Sequence, residues 1–179
     1  INRKGRLQIS GGEPFLSPHL FGLLIEAGKI HMPTRILTNG TLIDERIAAE
    51  TLKAGCRLVQ VSLEGGPETN DRIRGAGSFD KALKGIGNLR NAGLEVTINM
   101  TIAQENKSEI RQVAELAAEH ANRFNVSRFV PIDGTGTMNS SSLLDPANLR
   151  SCFRALNGLR RSLPKIEIPL RDPLWHLFL

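Results

Sequence analysis

The sequence predicts an α/β fold built on a parallel sheet, and three observations carry that reading. Strand and helix signals alternate along the 179 residues. The alternation repeats at roughly 25–40 residues, the length of a βα unit. Small or polar residues gather where the strands end. A parallel strand pair needs a crossover connection, which the intervening helices provide. An open doubly wound sheet and a full or partial barrel both satisfy the pattern, and both collect chemistry at the carboxyl ends of their strands.

Leu7–Ser10 reads as the first strand. Ser17 is placed to cap a helix, with Pro18 at its first position and Leu20, Phe21, Leu24 and Ile25 on its apolar face. Arg35–Thr38 is the second strand, stopped by Asn39-Gly40. Asp44 caps the next helix, whose Ile47, Ala48 and Leu52 face inward, and Gly55 closes it. Leu58–Leu63 is the third strand, followed by a long loop to Ser78. Phe79, Ala82, Leu83, Ile86 and Leu89 form a helical stripe ended by Gly93. Glu95–Ile102 is the fourth strand, and a helix from about Ser108 to His120 carries Ile110, Val113, Ala114 and Ala117. Arg128–Ile132 is the fifth strand. Asp145-Pro146 starts a last helix with Leu149, Cys152, Phe153 and Leu156 inward, and Lys165–Leu170 is a final strand.

Composition narrows the function classes. The residues are 40% hydrophobic, enough for a sizeable core. No apolar run approaches the ~18 residues of a membrane span, and no secretory signal is visible at the start. The net charge of +5 is moderate, with Lys and Arg scattered along the chain. Tyr is absent and Trp175 stands alone, which argues against a nucleic-acid partner. Cys56 and Cys152 lie far apart without metal spacing and fit a reducing, cytoplasmic compartment. The four histidines have no ligand spacing, and Gly134–Asn139 only approaches a dinucleotide-binding glycine pattern.

The strand ends are more informative. Gly11, Gly12 and Glu13 follow the first strand, Thr38 and Asn39 end the second, Ser62 and Glu64 the third, Asn99 and Thr101 lie late in the fourth, and Asp133 follows the fifth. Asn39-Gly40 alone is an ordinary turn. Ser62 and Asn99 are harder to dismiss, because both fall within strands. Adjacent glycines let a backbone approach a ligand closely, Glu13 adds an acceptor able to hold an ammonium group, and Pro14 stiffens the turn.

Gly11-Gly12-Glu13-Pro14 at a strand end matches the GGEP motif of radical S-adenosylmethionine (SAM) enzymes. RILTNGTLID, VQVSLEGGPETNDRIRGAGSFDKALKGI, VTINMTIAQEN and RFVPIDGTG resemble that family's later strands and loops, so the similarity runs from about Leu7 to Gly136. The resemblance implies a partial (β/α)₆ TIM-like barrel with Leu7–Ser10 as its second strand. Residues 1–164 would form the core and 165–179 the start of a C-terminal extension. It assigns SAM binding to Gly11, Gly12, Glu13, Pro14, Thr38, Asn39, Ser62, Glu64, Arg74 and Asn99. Gly11, Gly12 and Glu13 would hold the amino group, Ser62 the ribose or carboxylate region, and Arg74 the carboxylate, which suits a bidentate guanidinium. Asn99 would lie near the ribose or methionine part.

The family's C-x-x-x-C-x-x-C triad for a [4Fe–4S] cluster does not occur here, so the resemblance implies that it lies upstream of Ile1 and that no residue of this chain binds metal. Glu64 and Thr135 depart from the commoner Asp and Arg of the family. The implied activity is reductive cleavage of SAM to a 5′-deoxyadenosyl radical that abstracts hydrogen from a substrate. The SLEG, NDRIRG and GSF wording resembles members with auxiliary clusters in a C-terminal extension. Many of these mature peptides or proteins. A peptide or protein substrate and an electron donor such as flavodoxin or ferredoxin follow from that resemblance. Cofactor biosynthesis, of the modified-haem or molybdopterin type, is the alternative small-molecule chemistry. A clusterless nucleoside- or partner-binding module is the alternative of another class.

Overall fold

A computed structural model of the chain describes residues 5–131 and 140–170, with Asp172 and Leu174. Its strands are β1 (Leu7–Ile9), β2 (Thr34–Thr38), β3 (Leu58–Ser62), β4 (Glu95–Ile102) and β5 (Arg123–Arg128). They form a five-stranded parallel sheet in the order β1-β2-β3-β4-β5. The helices are α1 (Leu20–Lys29), α2 (Glu45–Lys53), α3 (Pro67–Arg74), α4 (Ser78–Asn91), α5 (Ile110–His120) and α6 (Pro146–Ser162). The chain divides into two compact units, Ile1–Ser62 with Asp80–Thr97, and Leu63–Phe79 with Ile98–Leu179.

In the first unit, the register pairs Gln8 with Arg35, Ile9 with Ile36, Ile36 with Val59, Leu37 with Gln60 and Thr38 with Val61. Strand side chains alternate between faces, so Ile36, Val59 and Val61 share one face, and all three are fully buried. Gln8, Arg35, Leu37, Leu58 and Gln60 share the other, where the Arg35 guanidinium donates to Gln60 Oε1. Leu20, Leu24, Ala48, Ile86 and Leu89 add the helical part of this unit's core. Asp44 caps α2 through Ile47 N at 2.7 Å, as its position predicts. Two glycines permit close approach of backbones. Gly40 has φ +77°, and a Cβ there would come within 2.6 Å of Val61 Cγ1. A Cβ on Gly85 would collide with the Gly40 carbonyl oxygen. Asn88 Nδ2 ties α4 to the Ile43 carbonyl at 2.8 Å beside this contact.

In the second unit, Ile98, Met100, Ile102 and Phe124 are buried with Ile110, Val113, Ala114 and Ala117 of α5. Leu149, Cys152, Phe153, Leu156 and Leu159 of α6 complete that core. Burial pushes the Cys152 thiol up from its ordinary value, and the Lys107 charge opposes this more weakly. The cysteine is therefore a small core residue, as its place on the apolar stripe predicts.

The structure departs from the sequence reading at four elements. The first helix starts at Leu20, after a 3-10 turn at Pro14–Leu16. Its first regular bond runs from Leu23 N to the His19 carbonyl, so Ser17 does not cap the helix; it closes the 3-10 turn, its N–H donating to the Pro14 carbonyl at 3.0 Å, and its Oγ accepts from His19 N at 3.3 Å. Ala27, rather than the exposed Ile25, completes its buried face. The long loop after β3 contains α3, which buries only Thr69 and Asn70 and so carries no apolar stripe. The fifth strand lies at Arg123–Arg128, ahead of the apolar run that marks residues 128–132, and Val130 is exposed. Lys165–Leu170 contributes a single parallel bridge, Arg123 to Glu167, because Pro164 and Pro169 lack the N–H that a ladder needs.

The Gly40–Gly85 approach gives a stability test. Gly85→Ala is expected to lower unfolding free energy by about 1–3 kcal/mol, the cost of overpacking, whereas Gly87→Ala, with open space at its Cβ, is not. Urea unfolding of both variants checks the difference.

Candidate functional site

The sequence motif at the end of β1 folds into a turn held by one carboxylate. Gly11 has φ +129°, a conformation that a side chain strains. Gly12 is exposed, and a Cβ built on it would meet nothing within 4 Å. Glu13 Oε1 accepts from Thr38 Oγ1 at 2.7 Å and from Phe15 N at 3.2 Å, and Oε2 accepts from Asn39 N at 2.9 Å. The carboxylate thus joins the turn after β1 to the end of β2. Thr38 Oγ1 in turn accepts from Gly40 N at 3.0 Å, and Asn39 Oδ1 accepts from Thr41 N at 2.9 Å. Pro14 is buried and starts the 3-10 turn. A cavity of about 260 Å³ opens beside Gly11, Gly12 and Glu13, with His19, Leu20 and Leu23 on its other walls. Ser62, the last residue of β3, is half-buried and makes no side-chain hydrogen bond among the described residues.

The second unit holds Glu64, Arg74 and Asn99. Glu64 is 3% exposed, and each of its polar groups has a partner. Its N–H donates to Asn70 Oδ1 and its carbonyl accepts from Asn106 Nδ2, both at 2.9 Å. Oε2 accepts from Thr101 N at 2.7 Å, and Oε1 accepts from Nε and Nη2 of Arg74. Two further carboxylates order the same loop. Glu109 accepts from Gly66 N at 2.7 Å and Thr69 Oγ1 at 2.6 Å. Asp71 accepts from Phe79 N at 2.8 Å and Gly77 N at 2.6 Å, at the start of α4. Gly65 makes room here, because a Cβ on it would press into Thr69 and the Glu109 carboxylate, whereas a Cβ on Gly66 would meet only the movable end of Gln112.

On β4, Asn99 Oδ1 accepts from Asn125 Nδ2 and Ser127 Oγ of β5. The sequence reading finds Asn99 but misses Asn70, Asn106, Asn125 and Ser127. Isolated polar residues in loops and in a short strand give no periodic signal. Asp133 lies outside the described residues.

SAM carries an ammonium, a carboxylate and ribose hydroxyls. Each unit offers groups of these kinds: in the first, open backbone at Gly12 and a hydroxyl at Ser62; in the second, a guanidinium at Arg74 with one edge on Glu64 and Nη1 outside that pair. The described residues do not fit an iron–sulfur cluster. Cys56 and Cys152 are both buried, and the described residues hold no group of three or more metal-binding side chains.

Residues 1–117 match the radical SAM superfamily. The chain belongs to the radical SAM superfamily. Among its relatives, Fe-coproporphyrin III synthase of Methanosarcina barkeri is 40% identical over 111 residues, 62% of this chain and 28% of that protein. The PqqA peptide cyclase of Granulibacter bethesdensis is 34% identical over 142 residues, 78% of this chain and 38% of the cyclase. Streptococcus suis SuiB bound to S-adenosylmethionine superposes over 96% of this chain and 40% of its own, with TM-score 0.81 and 20% identity. The chain therefore shares the fold of that part of SuiB and spans well under half the length of these relatives. As a family, radical SAM proteins use SAM and a [4Fe–4S] cluster.

Asp71 gives a pH test of the loop in this radical SAM chain. The Phe79 N–H, then that of Gly77, hold its carboxyl below the ordinary value, against a smaller opposing effect of burial. A depressed folded value stabilises the fold in full above the unfolded value of about 3.9 and is lost as pH falls through the folded one. Asp71→Asn is therefore expected to destabilise at pH 7 and to converge with the wild type in strong acid. Thermal unfolding between pH 7 and pH 2 reads this; a constant gap across that range contradicts it.

Proposed function

We propose that this chain is the SAM-binding core of an enzyme that cleaves SAM reductively and abstracts hydrogen from a peptide or protein substrate. The observation that carries the reading is the turn at Gly11–Pro14, where Gly12 offers unobstructed backbone while Glu13 fixes the turn to Thr38 and Asn39. Gly11, Gly12 and Glu13 are assigned to the SAM amino group, with Pro14, Thr38 and Asn39 shaping the turn. Ser62 is assigned to the ribose or carboxylate region, Arg74 with Glu64 to the carboxylate, and Asn99 to the ribose or methionine part. When bound, SAM supplies the radical and the family's cluster the electron; this chain's residues supply position and electrostatics.

A maturase reading is supported by the peptide cyclase relative. A flavodoxin- or ferredoxin-type electron donor and a cytoplasmic setting belong to the same proposal. No helix among the described residues is long and apolar enough to cross a membrane. The 40% identity to a coproporphyrin synthase supports a second reading, a tetrapyrrole substrate.

The test uses the full-length protein, reduced and supplied with SAM, and measures 5′-deoxyadenosine by chromatography. The wild type is expected to form it. Gly12→Val is expected to keep its unfolding temperature, since nothing lies where its Cβ would go. Misplacing the reacting groups by ~1 Å should nevertheless cut the rate about 100-fold. A folded Gly12→Val that works at the wild-type rate overturns the assignment of this turn. An absorbance shift on titrating coproporphyrin favours the second reading over the peptide one.

A further inference from the structure

We infer that Asn70 and Asn106 are positioning residues that set the orientation of Arg74 toward the SAM carboxylate by locking Glu64 from both sides of its peptide. The inference rests on the assignment of Arg74 just proposed. Both asparagines have zero exposure, and both lie in segments that carry the family resemblance, which gives neither of them a role. Of the four hydrogen-bonding positions of an Asn amide, Asn106 uses three and Asn70 two. Asn106 donates through Nδ2 to the Glu64 and Thr101 carbonyls, both at 2.9 Å, and accepts from Ala103 N at 2.8 Å. Asn70 accepts from Glu64 N at 2.9 Å and donates to Ser78 Oγ at 2.9 Å.

These bonds fix the backbone of one residue, and its side chain does the rest. With N–H and C=O both held, the Glu64 carboxylate reaches Thr101 N with one oxygen and Arg74 with the other. The Arg74 side chain is 29% exposed, so the guanidinium edge away from Glu64 is reachable. A guanidinium held along one edge presents the other in a fixed plane, the arrangement that a second, bidentate carboxylate needs. A mere loop staple would not require both faces of the Glu64 peptide to be held by fully buried amides while its acid is spent on an arginine. Leaving a buried Asn unpaired is costly, so the geometry is kept by these mutual bonds.

The test is anaerobic calorimetry on the full-length, cluster-reconstituted protein, with SAM and decarboxylated SAM as the two probes. Asn106→Ala and Asn70→Ala are expected to weaken SAM about tenfold, the lower range for losing a charge-assisted pair. They should leave decarboxylated SAM within about twofold and add nothing further in an Arg74→Ala background, the signature of a shared path. Asn70→Asp keeps the acceptor for Glu64 N–H and is expected to restore SAM affinity. If Asn106→Ala does not fold, Glu64→Gln makes the same comparison with both asparagine amides intact, and must show the same preference between the probes. Equal losses for both probes, or losses that add to Arg74→Ala, overturn the positioning role while the assignment of Arg74 stands. An Arg74→Ala protein with wild-type SAM affinity overturns that assignment, and the positioning role with it.

Discussion

Backbone N–H groups that neither a sheet ladder nor a helix satisfies must find acceptors, and at several loops and helix starts of this chain carboxylates supply them. In the first unit Glu13 takes Asn39 N. In the second, Glu64 takes Thr101 N, Glu109 takes Gly66 N, and Asp71 takes Phe79 N and Gly77 N. A strand's ladder stops when its neighbour turns away, and an unmet buried N–H would be more costly than the bond is stabilising. For the buried Glu64, a bond to the ionised acceptor is worth about 1.5–3 kcal/mol. Four acids therefore do at loops and helix starts what main-chain carbonyls do within sheet and helix, and Gly65 leaves the room that Glu109 occupies.

The sheet explains why those loops can carry polar groups. In the first unit the face with Ile36, Val59 and Val61 is sealed, so the opposite positions, Gln8, Arg35 and Gln60, are free to be polar. In the second unit Met100 and Ile98 alternate with Asn99, which collects Asn125 and Ser127 from the next strand. Polar side chains that bond to one another across strands satisfy themselves without a helix on that face.

The same physics sets what the sequence makes legible. β4 is found to the residue, because Glu95–Ile102 combines β-branched residues with a glycine stop before it. α4, α5 and α6 are found from stripes that the structure buries, Ile86 and Leu89, Val113 and Ala117, Phe153 and Leu156. α3 escapes notice because its partners are Glu109 and Gly66, not a core. β5 is displaced because its partners on one face are amides and hydroxyls, which a search for apolar runs passes over. The turn after β1 is legible from Gly11-Gly12-Glu13, but the expected ammonium role of Glu13 meets a carboxylate already accepting three protein donors.

That last point bears on how recognition is divided in the proposed site. An ionised carboxylate offers about four lone-pair positions, so Glu13 and Glu64, each accepting three protein donors, have one left apiece. The acids are mostly occupied with holding the chain. The groups with most capacity to spare are of another kind: backbone at Gly12, the Ser62 hydroxyl, and the outer edge of Arg74. Under the proposed assignment the Arg74 edge suits a carboxylate and the Ser62 hydroxyl a ribose or carboxylate oxygen, while the ammonium falls to the backbone of Gly11 and Gly12 and the one open position of Glu13.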